Sequence, residues 1–204
     1  MILAVDTTGP DCSAAFHNGE RELGKLSERI GRGHAERLAP VVEAVLQSAG
    51  VAPAAVTRLA VCTGPGSFTG LRVGLAFVKG FALPRGLPII GVNALTVAAV
   101  AEQGAKAGNV AVFRDIRRGE VMYARFAGGR PVHAPEAVAL EFAQADARAH
   151  AISLIEAETI DVGVLARLAH ALDPADHPPV AFYSRCPDAK LPGGLDPQLG
   201  TAGR

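Results

Sequence analysis

Two similar segments, 109 residues apart, constrain how this chain can fold more than any other feature. Residues 2–19 run as an apolar strand ending in Asp6, a Gly-Pro turn, and a second strand ending in Asn-Gly. Residues 109–129 repeat this order, with Asp115 in the place of Asp6 and a Gly pair at the end. Apolar runs bounded by such turns are typical of β-hairpins. We therefore predict two related halves that each open with a hairpin; the alternative is two unrelated hairpins in one α/β protein.

Strand and helix patterns alternate between the two hairpins. Residues 20–28 are compatible with a third strand, and residues 58–64 and 87–92 with buried strands. Small or apolar residues recur at helical spacing in three segments, residues 33–50, 67–83 and 93–105. This alternation indicates an α/β layered fold.

The second half is less clearly patterned. In the second hairpin, Met122, Ala124 and Phe126 share one face, which we expect to be the core face, and Tyr123 lies on the other. Residues 161–172 predict a helix, and "PPVAFYSR" a last short strand. We divide the chain into an N-terminal lobe (1–105), a shortened C-terminal lobe (106–190) and a flexible tail (191–204).

Composition excludes several classes of function. Lys and Arg total 20 and Asp and Glu total 20, so no excess charge is present to grip nucleic acid. Trp is absent and aromatic residues are 5%, which argues against a base-stacking platform. The three cysteines, Cys12, Cys62 and Cys186, lie far apart, as in reduced intracellular proteins. No signal peptide or membrane-spanning run is recognised, so we expect a cytoplasmic protein.

The stretch "CTGPGSFTGLRVGLAFVKG" predicts a strand end, a glycine-rich turn and a helix capped by Ser67. It matches neither a Walker A loop nor a dinucleotide fingerprint, because Lys and the last spaced Gly are missing. Gly70 and Gly74 lie on one helix face, which a neighbour can approach closely. That neighbour is either another element of this chain or a different protein.

No catalytic set is evident. None of the six histidines forms a His-x-x-x-His pair, and no Gly-x-Ser-x-Gly elbow occurs. The hairpin acids Asp6, Asp11, Asp115 and Glu120 can meet across a cleft, although acids are ordinary in turns.

Several motifs occur in an order that resembles the TsaB family, also called YeaZ. They are "ILAVDTT", "GHAERLAPVVEAVL", "TGPGSFTGLRVGLAFVKGFAL", "LPIIGVNAL", "DIRRGEVMYARF" and "FYSRCPDAKLP". The resemblance implies an actin-like, sugar-kinase-like ATPase fold with two related lobes. It implies a non-catalytic scaffold in the threonylcarbamoyl modification of the adenosine beside the tRNA anticodon.

The resemblance also implies partners. The family binds its paralogue TsaD as a heterodimer, with the ATPase TsaE joining them, and forms a homodimer through the same helices when alone. Contact with tRNA is expected only through the complex. TsaD holds a metal with a His-x-x-x-His pair, whose places here are Ala94 and Ala98. Alanine cannot bind a metal, so no cofactor of its own is expected.

Site residues follow from the same resemblance. The partner interface is expected to include His34, Arg37, Leu38, Val41, Ser67, Phe68, Thr69, Gly70, Arg72, Val73, Gly74 and Ala76. A nucleotide-facing cleft, if one exists, is expected at Asp6, Asp115, Arg117 and Glu120. The alternative is an ATP-dependent enzyme or a glycoprotease-like peptidase of the same fold.

Overall fold

A computed structural model describes residues 1–103 and 108–184. The strands are β1 (Ile2–Asp6), β2 (Asp11–His17), β3 (Glu22–Arg29), β4 (Arg58–Cys62), β5 (Ile89–Val92), β6 (Asn109–Asp115), β7 (Glu120–Ala127), β8 (Arg130–Pro131), β9 (Glu136–Ala139) and β10 (Ser153–Glu156). The helices are α1 (His34–Ser48), α2 (Phe68–Ala82), α3 (Ala94–Gln103), α4 (Leu140–Ala149) and α5 (Val162–Ala171).

The first sheet has the order β3-β2-β1-β4-β5. Strands β1, β2 and β3 are antiparallel neighbours, whereas β4 and β5 continue from β1 in parallel. The residues of β1 are apolar apart from Asp6, and all five are buried, as expected of a strand covered on both faces. The Asn18-Gly19 turn lies in the loop between β2 and β3, where Asn18 Oδ1 accepts from the backbone N–H of Glu20 and Arg21.

The second sheet repeats the arrangement of an antiparallel hairpin followed by a parallel strand. It has the order β10-β6-β7-β8, and β9 also pairs with β7. The β6–β7 hairpin corresponds to β1–β2, and β10 lies parallel to β6 after α4, as β4 lies parallel to β1 after α1. The prediction of two related halves that each open with a hairpin is confirmed. The architecture is α/β with two sheets, the class that the alternation of strands and helices indicated.

Helices cover the faces of both sheets. Helices α1 and α2 pack on one face of the first sheet through Leu38, Val41 and Leu75. Helix α5 comes from the second half but packs on the opposite face of the first sheet, around Leu165 and Ala169. Helix α3 contributes to the cores of both sheets, so it is the central element that joins the halves.

The face of Met122, Ala124 and Phe126 is a core face, as expected, but two other features of the second half differ from what the sequence indicated. Tyr123 lies on the face opposite Met122 and Phe126, yet it is 1% exposed, because α4 covers that face as well. Its hydroxyl donates to Asp146 Oδ2 of α4 at 2.7 Å. The segment 178–184 forms no strand; it passes the ends of β4 and β5, and Phe182 N donates to Thr63 O at 2.8 Å.

The predicted lobe boundary at residue 105 and the predicted tail, 191–204, lie outside the described residues. Within residues 1–103 and 108–184, no helix combines the length and apolar character that crossing a bilayer would require.

Candidate functional site

The glycine-rich turn leads from β4 into α2, as predicted. Ser67 caps the helix, and its Oγ accepts from Gly70 N at 3.2 Å. Ser67 N in turn donates to Thr8 O of the first hairpin at 2.8 Å. The backbone donor of Ser67 at the start of α2 is therefore already bonded to the protein itself.

Gly70 and Gly74 face the interior of the chain. A Cβ on Gly70 would overlap the carbonyl oxygen of Thr7, and one on Gly74 would lie 2.7 Å from Thr7 Oγ1. Thr7 Oγ1 also donates to Gly70 O at 2.7 Å. Both glycines are buried by this contact, so they are not available to a partner. The first hairpin, rather than a foreign helix, occupies the groove that these glycines leave.

Three of the four interface residues predicted on α1 are also buried. Leu38 and Val41 belong to the core between α1 and the first sheet. His34 lies at the start of α1, where its Nε2 is 3.2 Å from Asp11 O. Arg37 is exposed and forms a bidentate ion pair with Glu28 of β3, with N–O distances of 2.5 and 2.6 Å. Arg37 is therefore the one of the four whose side chain lies on the surface.

The remaining predicted interface residues form an exposed group on α2. Ser67, Phe68, Thr69, Arg72 and Ala76 are exposed, and Val73 is half-buried against the core under α1. We call these five exposed residues the α2 surface. The Arg72 guanidinium lies 3.8 Å from the centroid of the Phe68 ring. Such cation–π geometry holds an aromatic side chain in place on the surface.

Tyr183 extends this surface and was not among the predicted residues. Its ring centroid lies 5.1 Å from that of Phe68, and 40% of Tyr183 and 41% of Phe68 remain exposed. The motif "FYSRCPDAKLP" contains this tyrosine, but 183 and 68 are far apart in sequence. The two rings meet because residues 178–184 pass the end of β4, where Phe182 N donates to Thr63 O.

The predicted cleft residues differ in burial and in the turns to which they belong. Asp6 is 2% exposed, and its Oδ1 accepts from Thr8 N at 2.9 Å within the first turn. Asp115, Arg117 and Glu120 are exposed at the tip of the second hairpin, where Asp115 Oδ1 accepts from Arg117 N at 2.6 Å. Asp6 and Asp115 hold equivalent positions in the two halves, and each organises its own turn.

Arg114 is the side chain that links the two halves at this cleft, and sequence reasoning missed it. It is 6% exposed. Its Nη1 donates to Thr8 Oγ1 at 3.1 Å and to Pro65 O at 2.9 Å, and its Nη2 donates to Glu158 O at 2.9 Å. The available signal was a charged residue directly after the apolar run Val110–Phe113. Its partners become apparent only when the halves are assembled.

The space around Arg114 is closely packed. A Cβ on Gly66 would overlap Thr8 O, and one on Gly9 would lie 2.6 Å from Glu158 O and 2.9 Å from Arg114 Nη2. Cys62 lies next to the first turn, with its Sγ 3.6 Å from Thr8 Oγ1. Burial raises the pKa of its thiol to about 12. The first turn and the glycine loop are therefore in direct contact, and the nearby thiol stays protonated at neutral pH.

Ala94 and Ala98, the two positions that the resemblance matched to metal ligands, lie on α3. Ala94 begins the helix, is fully buried, and donates its N–H to Gly64 O at 2.7 Å. Ala98 is half-buried against the core of the second sheet. In the part of the chain that the structure describes, no three His, Cys, Asp or Glu side chains group closely enough to hold a metal ion.

Comparisons with known proteins bear on the whole chain. Residues 20–130 match the family model described as TsaD, tRNA N6-adenosine threonylcarbamoyltransferase. An uncharacterized protein of Mycobacterium tuberculosis is 34% identical over 93% of this chain and 93% of its own length. The Escherichia coli tRNA threonylcarbamoyladenosine biosynthesis protein TsaB is 38% identical over 61% of this chain and 54% of that protein.

Solved structures agree with the sequence comparisons. The structure titled YeaZ from Pseudomonas aeruginosa superimposes with a TM-score of 0.68 at 25% identity, covering 89% of this chain and 99% of that one. A second Pseudomonas aeruginosa structure, titled as an uncharacterized protein with similarity to peptidase YEAZ, gives 0.70 at 27% identity. Sequence motifs, topology and these matches lead to one conclusion: the chain belongs to the TsaB (YeaZ) family.

Proposed function

We propose that this chain acts in the biosynthesis of threonylcarbamoyladenosine in tRNA as a non-catalytic subunit that binds a TsaD-type transferase. A family member from Escherichia coli carries this pathway in its name. The chain would contribute a docking surface and no reacting group. It would contact tRNA only through the complex, and a TsaE-type ATPase would join the pair.

The observation that carries the docking proposal is the α2 surface. Phe68 and Tyr183 are large, partly exposed aromatic side chains, and Arg72 holds the Phe68 ring from one side. Aromatic residues and arginine are enriched where protein interfaces concentrate their binding energy. A pre-positioned pair of rings loses little side-chain freedom on binding, which favours association.

The cleft supports the non-catalytic part of the proposal. A phosphate-binding site in a strand–loop–helix arrangement needs free backbone N–H groups and space for the anion. Here Ser67 N is bonded to Thr8 O, and Arg114 fills the place between the first turn and the glycine loop. Ala94 and Ala98 provide no metal ligand beside it.

A pair of matched substitutions tests the docking surface. Ala76 is exposed on α2 and Ala145 is exposed on α4, so Ala76→Arg and Ala145→Arg introduce the same charge and bulk on two helices. We expect Ala76→Arg to weaken the affinity for the same organism's TsaD at least about tenfold, because overpacking typically costs about 1 to 3 kcal/mol. Ala145→Arg should bind like the wild type. Isothermal titration calorimetry measures both.

Unchanged affinity of a folded Ala76→Arg variant would remove α2 from the interface. A Gly74 substitution cannot serve here, because Gly74 contacts Thr7 and its replacement would disturb the fold itself. If the chain also self-associates through the α2 surface, Ala76→Arg should shift a homodimer towards monomer in light scattering. Binding and turnover of magnesium ATP by the isolated chain would instead favour the ATP-dependent enzyme.

A further inference from the structure

A cavity of about 930 Å³ opens on the side of the molecule where α3 and α5 lie next to each other. The β7–β8 turn together with β8 itself, Gly128–Pro131, closes one side, and His177 closes another. The cavity shares no lining residue with the α2 surface or with the cleft around Arg114. It is therefore a separate feature that the proposed function does not use.

The walls of the cavity are apolar. Val92 and Val100 contribute from the β5–α3 side, Leu168 and Leu172 from α5, and Pro131 from β8. Leu168, Leu172 and Val100 remain only half-buried, although they pack at the edge of the core. A concave apolar site of this volume lies within the range of small-molecule pockets, about 300 to 1,000 Å³.

The charged side chains that line the cavity are cations, and Asn93, Thr96 and His177 add further polar groups. Arg130 and Arg167 are exposed at its rim, and neither forms an ion pair with an acid in the described part of the chain. Asn93 Oδ1 accepts from Leu95 N at 2.9 Å, which leaves the side-chain amide of Asn93 to donate. No Asp or Glu is found among the described residues that line the cavity.

From this combination we infer that the cavity binds a small amphipathic anion. Its apolar body would lie against Val100, Leu168 and Leu172, and its carboxylate, sulfonate or phosphate group would face Arg130 and Arg167. Apolar walls provide affinity, and a few convergent polar groups orient the ligand. Guanidinium groups suit such anionic heads because they donate two parallel hydrogen bonds.

Two probes separate the apolar and the charged contributions. The fluorescent 8-anilinonaphthalene-1-sulfonate carries a sulfonate, whereas N-phenyl-1-naphthylamine has the same ring system without it. We expect the full chain to bind the sulfonate with one-site, saturable fluorescence. The double variant Arg130→Gln/Arg167→Gln should weaken sulfonate binding about five- to tenfold and leave binding of the uncharged probe unchanged, because each partly exposed charge contact contributes modestly.

Two further variants complete the test. Arg148→Gln removes an exposed arginine on α4, away from the cavity, and should bind both probes like the wild type. Val100→Trp fills the cavity and should weaken both probes, with thermal melting used to confirm that it is folded. Absence of saturable sulfonate binding, or equal sulfonate affinity in the wild type and the double arginine variant, would overturn the inference. Neither result would affect the proposed docking of TsaD.

Discussion

Two glycines of α2, Gly70 and Gly80, differ in whether the structure requires a residue without a side chain. Gly70 is required, because any Cβ there would overlap the Thr7 carbonyl oxygen of the first hairpin. Gly80 has no atom within 4 Å of the place where its Cβ would stand. In a helix interior, glycine is less favourable than alanine by about 1 kcal/mol. Close packing offsets this cost in helix stability at Gly70, whereas no contact at the Cβ position offsets it at Gly80.

These two glycines give opposite predictions for the same substitution. Gly70→Ala should lower the free energy of unfolding by about 1 to 3 kcal/mol, because the first hairpin must move away from α2. Gly80→Ala should raise it by up to about 1 kcal/mol. Urea denaturation of the two variants beside the wild type measures both. Equal effects of the same sign would mean that Gly70 does not hold the contact with Thr7.

At the scale of elements, α5 depends on the acid that precedes it. Asp161 Oδ1 accepts from Gly163 N at 2.8 Å and from Lys25 Nζ of β3 at 2.7 Å. Burial opposes the charge of Asp161, but Lys25 and the backbone N–H of Gly163 outweigh burial and lower its pKa. The cap therefore starts the helix and ties it to the edge strand of the first sheet.

Replacement of Asp161 by Ala should lower the free energy of unfolding at pH 7 by about 1 kcal/mol, the usual loss for an N-cap. Because the pKa of Asp161 is lower in the folded state, its charge stabilises the fold fully above the unfolded value, near 3.9. The stabilisation from the charge is lost as the pH falls below the unfolded pKa and through the pKa of the folded state. The difference between wild type and Asp161→Ala should thus shrink in acid, as followed by urea denaturation between pH 7 and pH 3.

Asp161→Asn is the matched control, since asparagine keeps the side-chain oxygen that accepts from the helix but removes the charge. At pH 7 it should fall between the wild type and Asp161→Ala, because it keeps the cap but loses the modest contribution of the charge paired with Lys25. A loss in Asp161→Asn as large as in Asp161→Ala would assign the effect to the ion pair rather than to the cap.

Across the whole molecule, Arg114 connects three segments that lie far apart in the sequence. It reaches the first turn, the glycine loop and the segment before α5 at once. Arg114→Met should lower the free energy of unfolding by about 2 to 3 kcal/mol, because two buried acceptors and one part-buried acceptor lose their donor. Arg148→Met, on the exposed side of α4, should change it by less than about 0.5 kcal/mol. Thermal melting of both variants checks this, and a small effect for Arg114→Met would show that the halves stay together without it.

The sequence alone determined the hairpins, the helices with regular apolar spacing, the Ser67 cap and the family, because these depend on neighbours within a few residues or on motif order. Only the tertiary structure decided which side chains face outward. The prediction placed Leu38, Val41, Gly70 and Gly74 on a partner surface, whereas the chain's own sheet and first hairpin cover them. Contacts between distant segments, such as Phe68 with Tyr183 and Arg114 with Thr8, leave no periodic pattern in a sequence, because they arise only when the two halves meet.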